Sequence, residues 1–563
     1  MLEQRYLRLA LTLCVGAFGQ SMLCVRVNAQ SQDRRPLDLR QNVLVNRAAY
    51  IPPQCFTRVL DPGESVAQNP CYVCHARAQE PNQEDQLEQQ LTYDFPQLRA
   101  GQQVTNDWSN LFVDRREQIA GISDAEMRAY VDRDNYRHDG VNLIRARFEH
   151  LPEGWDGNAN GHWDGFTPDA YFAFDAQGFD RAPDGSPTGW RVFAYRPLPG
   201  AFLPTNGSFD DVLIRLPDAF RRDGDGREDF RVYATNLAIV EALITRRDVA
   251  IDVIDERAVG VDLDRNRQLS AASTVRYAWQ PLQPASMQYV GRAELERREG
   301  RLHLAPGLFP EGTEFLHSVR YLAVDRHGVV GPAARMKELR YARKHLWLSY
   351  SDRIDIAQCE AKEAALNPDR PERFLGNAEQ GLHSAWGWTY QGLIEDTSGE
   401  LRPQSYEETV FCMGCHAGLA ATTDSAFAFP RKLSSGPAHG FYAWHTQQRP
   451  TVPDSLRSDG RREYETYLLR NSGADAYRSN LEANAKFFTH GRPRRRMFER
   501  LARDVSVLLI PSSARAWALD KAYLAIVREQ SFVLGRDALL SPATRVLREV
   551  RAGAATGIRE PVW

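Results

Sequence analysis

The sequence predicts an α+β multidomain fold, with mainly helical segments at both ends of a β-rich middle module. Three observations carry this. The chain has 563 residues, more than a single hydrophobic core usually organises. Short runs rich in β-branched and aromatic residues concentrate between residues 151 and 345. On either side of that stretch the apolar residues follow helical spacing instead.

Residues 1–29 read as a cleaved export signal. Arg5 and Arg8 precede the short apolar run 9–19, and Val27-Asn28-Ala29 offers a small-residue cleavage site before Gln30. Leu13 and Leu23, not small residues, precede Cys14 and Cys24, which argues against a lipid-modified cysteine. No later run is long and apolar enough to span a membrane. The mature chain is therefore expected in the periplasm or otherwise outside the cytoplasm.

Residues 30–150 form the N-terminal segment. Ser123 is placed to cap a helix through Val131, with Glu126 at the third helical position. In the middle module, residues 151–345, the runs 190–195, 211–216 and 249–254 read as strands, and 236–245 as a helix. In the C-terminal segment, residues 346–563, helices are expected at 462–470 and 496–509, and from a cap at Ser513 to Glu529. Basic and acidic residues nearly balance, at 70 and 73. That excludes the basic excess of a general nucleic-acid binder.

Two of the eight cysteines fall in the signal. Four others build two pentapeptides, Cys71-Tyr72-Val73-Cys74-His75 and Cys412-Met413-Gly414-Cys415-His416. Each reads C-x-x-C-H, the attachment pattern of haem c: two thiols for the two vinyl groups and a histidine for the iron. A zinc ribbon wants its pairs ~15–20 residues apart, whereas these stand hundreds apart. A thioredoxin-type C-x-x-C needs no following histidine. In an oxidising compartment the remaining Cys55 and Cys359 are expected to form a disulfide.

On these two pentapeptides the chain resembles exported bacterial dihaem c-type cytochromes, and the helical ends are similar to cytochrome c domains. The resemblance implies two covalent haems, with His75 and His416 as iron ligands, and electron transfer with redox partner proteins. It supplies no substrate. A dihaem peroxidase or oxidase is the alternative, and a haem-containing binding or sensor protein a second. Electron carriage is favoured over catalysis. His317, His383 and His439 are the candidate distal ligands.

The middle module also carries an EF-hand-like loop. Asp156, Asn158, Asn160 and Asp164 place side-chain oxygens at positions 1, 3, 5 and 9, and the His162 carbonyl falls at position 7. Calcium is the expected ion. The glutamate of position 12 is missing, since Thr167 stands there.

Overall fold

The computed structural model describes residues 37–551 apart from 47–48, 58, 61–66, 69–72, 75–102, 201–205, 284–285, 368–373, 417, 420, 434–440, 442, 444–450, 458 and 471–479. Its centre is a nine-stranded antiparallel sheet: β1 (Phe179–Arg181), β2 (Pro187–Phe193), β3 (Phe209–Arg215), β4 (Glu314–Val324), β5 (Val330–Lys344), β6 (Leu375–Asn377), β7 (Gly381–His383), β8 (Trp388–Glu395) and β9 (Leu401–Pro403). The spatial order is β6-β7-β8-β5-β4-β3-β2-β1, with β9 also on β8.

The long hairpin β4–β5 is the spine. Its turn is set by Asp325, whose Oδ1 accepts the N–H groups of His327 and Val329, both at 2.8 Å. No residue of β4 is exposed, so this strand is covered on both faces rather than alternating as a half-solvated strand would. On one face Leu316 packs with Trp190, Leu213 and Leu339. The other face looks onto the cavity described below.

Five helices matter for the site: α1 (Asp124–Val131), α2 (Phe230–Thr245), α3 (Tyr350–Leu366), α4 (Tyr406–His416) and α5 (Ser513–Glu529). Ser123 caps α1 by accepting the Glu126 N–H. Asp229 caps α2 by accepting from Arg231 and Val232. α2 is buried along most of its length, as a helix apolar on nearly all sides must be. α5 begins at Ser512, whose side chain accepts the Arg515 N–H, one residue before the expected cap.

The expectation of cytochrome-like helical ends is corrected. The protein is a mixed α/β structure around one large antiparallel sheet. Strands β6–β9 come from the C-terminal stretch expected to be mostly helical. They join the sheet through β8, which alone of the four pairs with β5 and offers eight residues, seven of them buried; β7 and β9 pair with β8, and β6 with β7. The described residues from Leu37 onward form one compact unit. The helix expected at 496–509 is two pieces, Arg495–Arg503 and Ser506–Leu509. Asp504 separates them, its Oδ1 accepting the Ser506 N–H at 3.0 Å.

Candidate functional site

The second pentapeptide lies at the end of α4. The helix starts at Ser405-Tyr406-Glu407-Glu408, where the Glu408 N–H donates to Ser405 Oγ at 3.2 Å and the Ser405 N–H donates to Glu408 Oε2 at 2.8 Å. This reciprocal pair is a capping box. Helical spacing of three and four residues then puts Cys412, Cys415 and His416 on one face. That face closes a cavity of about 300 Å³, at the lower end of the ~300–1,000 Å³ usual for ligand sites.

The opposite wall is the sheet. Ladder register sets Phe315 opposite Ala342 and Ala342 opposite Tyr390. The next row is Val212, His317 and Arg340, and the one after is Asp210, Val319 and Glu338. Directly opposed residues share a face. All of these except Asp210 line the cavity along with Cys412, Cys415 and His416.

Burial pushes the His416 imidazole down to about 4, so the ring is neutral at pH 7. Its Nδ1 lies 2.9 Å from the Ser425 carbonyl. A neutral ring in this position donates its Nδ1–H to that carbonyl and keeps a lone pair on Nε2, as ligating histidines do. Burial also raises both thiols, that of Cys415 to about 11. A disulfide-exchange or thiolate metal site needs the opposite shift. Among the described residues, the acidic and sulfur or imidazole donors that converge on one point are Glu256, Asp262 and Asp264, not the pentapeptide. The cavity donors are spread out, as a large ligand would require.

His317 is reached by Asp210 and Tyr195. His317 Nε2 lies 3.0 Å from Asp210 Oδ2, and the Tyr195 hydroxyl donates to the same oxygen at 2.9 Å. The structure thus brings His317 and His416 to one cavity, but the Nε2 of His317 is engaged by a buried carboxylate. Lys337 also lines the cavity, fully buried, and burial lowers its ammonium to about 8. It donates to the Gly207 carbonyl and to Ser208 Oγ. Among the described residues no carboxylate lies within ion-pair distance of it. Burial alone would lift Glu338, yet Arg340 and Arg536 outweigh it and hold the carboxyl down at about 2.

The other expected site residues lie elsewhere. His383 is on β7, outside the cavity lining, with Nδ1 2.9 Å from Thr389 Oγ1. Cys71, His75 and His439 fall outside the described residues. Cys74 is half-buried, and its carbonyl accepts the Ala421 N–H at 3.0 Å, close in sequence to the second pentapeptide. No S–S bond joins Cys55 to Cys359. Cys55 packs against the core whereas Cys359 is exposed on α3.

The Asp156 loop folds onto itself. Asp156 accepts the N–H groups of Asn160 and Gly161, and Asp164 Oδ2 accepts the side-chain amides of Asn158 and Asn160 at 2.7 Å each. The His162 N–H donates to Asn160 Oδ1 at 2.8 Å. Buried Glu379, unseen from the loop sequence, closes it by accepting from Gly157 and Asp164. Sequence reasoning also missed Asp210, Tyr195 and Lys337, which strand pairing alone delivers. The Ser405–Glu408 box, likewise missed by sequence reasoning, is the signal that marks the start of the helix carrying the second pentapeptide.

A lipoprotein family matches residues 39–497, most of the chain. The chain belongs to this lipoprotein family. An uncharacterized lipoprotein of Aquifex aeolicus (strain VF5) is 28% identical over 580 residues, covering 92% of this chain and 91% of that protein. No solved structure matches. These findings correct the cytochrome reading. The family match runs across both pentapeptides, and with it the assignment as an electron-carrying dihaem cytochrome falls, as do the peroxidase and sensor alternatives and the redox partners. Five-residue motifs recur on unrelated folds and do not fix a family. Membership in a lipoprotein family indicates an exported protein held at a membrane. Among the described residues no helix is long and apolar enough to cross one.

Proposed function

We propose that this lipoprotein-family protein is exported to the periplasm by residues 1–29 and holds a covalently attached haem c in the cavity beneath α4. Cys412 and Cys415 form the thioethers and His416 is the iron ligand. The observation that carries this reading is the single helix face bearing two half-buried, protonated thiols and a neutral imidazole whose Nδ1 is already committed to Ser425. Aromatic and aliphatic walls suit the body of a flat macrocycle. Lys337 supplies a buried cation that, among the described residues, has no carboxylate within ion-pair distance, for an acidic substituent. When bound, the group supplies an iron centre that takes small ligands. His317, fixed by Asp210 and Tyr195, presents an imidazole to the same cavity. The same attachment chemistry is proposed for Cys71, Cys74 and His75. Shuttling electrons between proteins forms no part of this reading.

Peptide mapping by mass spectrometry tests it, on chain exported in a host that matures c-type haem. The peptide spanning 406–416 is expected to carry haem on both thiols, and Cys412→Ala with Cys415→Ala is expected to abolish that mass while sparing the 71–75 peptide. Recovery of the 406–416 peptide with both thiols freely alkylated overturns the proposal.

A further inference from the structure

Arg340 faces the cavity with its two terminal nitrogens unused. It lines the wall from β5, directly across the ladder from His317 of β4. Its partner on the other side is Gly392 of β8, which has no side chain to cover it. Arg340 Nε donates to Glu338 Oε2 at 3.0 Å. Glu338 is held in turn by Arg536 Nη1 at 2.9 Å and Gln404 Nε2 at 3.2 Å. The guanidinium is thus anchored along one edge. Among the described residues its Nη1 and Nη2 make no hydrogen bond. The Arg340 side chain keeps 29% of its accessible surface where Glu338 keeps 3%, so the unanchored end opens onto the cavity. Its charge acts on Cys412, Cys415 and His416, which face it from α4.

The charge on this wall is unbalanced. Lys337, Arg340, Arg431 and Arg536 line the cavity against Glu338 and Asp537. Arg431 is taken by Glu463, but Arg340 and Arg536 share the one carboxylate of Glu338. Lys337 reaches the wall through a β-bulge: the ladder passes from Val319–Glu338 to Arg320–Met336 and skips it. Behind His317, the Asp210 Oδ2 is already held by the Tyr195 hydroxyl and His317 Nε2.

We propose that the cavity binds a planar oxyanion of the carboxylate type, with Nη1 and Nη2 of Arg340 as a two-point fork. A guanidinium matches two such oxygens with two parallel hydrogen bonds, which a lysine cannot do. Glu338 fixes the fork in advance, so little side-chain freedom is lost on binding. Phe315, Val319 and Tyr390 keep the surroundings apolar, where a charged hydrogen bond is stronger than in water. Two sources fit this chemistry: a free small anion, or a carboxylate of a larger group held in the cavity. Neither requires attachment at Cys412 and Cys415.

The probe is sodium formate, titrated into the full chain at fixed ionic strength with chloride as the control. Thermal melting and calorimetry are read on the parent and on the double variant Cys412→Ala with Cys415→Ala. In the double variant formate is expected to raise the midpoint where chloride does not. In that background Arg340→Lys keeps the charge but not the fork. It is expected to weaken binding about tenfold, as loss of one charge-assisted hydrogen bond does. Arg340→Gln, which keeps a donor towards Glu338, is expected to abolish binding. The same rise in the parent identifies a free anion as the ligand. No rise in a parent whose 406–416 peptide carries haem identifies a carboxylate of that group as the anion in place. The peptide mass is read separately, so failure of haem attachment and failure of anion binding are distinct results. The proposal is overturned if formate gives the double variant nothing beyond chloride, or if Arg340→Gln leaves its affinity unchanged.

Discussion

Gly414 shows how one residue places a site. In a helix interior, replacing glycine by alanine ordinarily gains up to about 1 kcal/mol. Here a Cβ on Gly414 would run into the Tyr50 carbonyl oxygen and press on Pro52. Overpacking against a backbone atom costs roughly 1–3 kcal/mol, so the clash outweighs the propensity gain. Gly414→Ala is expected to lower the thermal midpoint, whereas the same change at a solvent-facing helical glycine would raise it. A midpoint unchanged or raised would show that the segment around Tyr50 does not press on α4. At this scale much was readable in advance: the spacing of Cys412, Cys415 and His416, and the turn-forming Asp156 loop. Asp210 was not, because its importance lies in facing His317 across a ladder between strands about a hundred residues apart in sequence.

Among the elements, α5 and β4 are joined by a buried acid. Asp520 Oδ1 accepts the Leu322 N–H at 3.1 Å. Burial pushes its carboxyl up to about 8, with Lys337 pulling the other way. The folded pKa thus lies above the ~3.9 of an unfolded aspartate. Such a group contributes stability that is complete below pH ~4 and is lost as the pH rises towards 8. Glu395, raised by burial to about 7, and Asp454, raised to about 6, act in the same direction. The melting temperature is therefore expected to fall between pH 5 and 8. Asp520→Asn keeps the acceptor and should remove the upper part of that fall, leaving the part due to Glu395 and Asp454. An identical pH profile in the variant would count against a neutral Asp520. Lys337 titrates at the edge of this window, since its depressed pKa adds stability only as the pH rises above about 8.

Element boundaries were legible where local chemistry sets them. The Ser123 cap, the strands near 190–195 and 211–216 and the helix ending at Glu529 all rest on side-chain caps or β-branched runs. Strands β6 to β9 were not legible. Three of the four are only three residues long, and β8 is buried on both faces, so neither alternation nor length marks them. Their identity comes from β8 pairing with β5, a long-range fact, and from the short strands pairing onto β8 and β7.

For the whole molecule the consequence is cooperativity. β5 has β4 on one side and β8 on the other. Cutting the chain at residue 345 would expose the β5 edge and strip the cover from Tyr341 and Leu339, which pack with Leu393 and Leu401. An unpaired edge of that length invites aggregation. A fragment spanning residues 151–345 is expected to be insoluble or to melt without a cooperative transition, judged by calorimetry. A soluble fragment with a sharp transition would show that the middle module folds alone.

The clasp on α4 also bears on the order of events after synthesis. Glu407 accepts the N–H groups of Val45 and Asn46, at 2.9 and 2.6 Å. The Tyr50 carbonyl sits against Gly414, and Trp108 meets Phe411 edge-on at 5.6 Å. The early residues that hold this helix emerge from the export channel long before it does. Once the helix arrives and is gripped, Cys412 and Cys415 come to lie half-buried on the cavity wall. The clasp can therefore close only after about 360 further residues have followed the segment that forms it, so the earliest part of the described chain has to wait for the helix it holds.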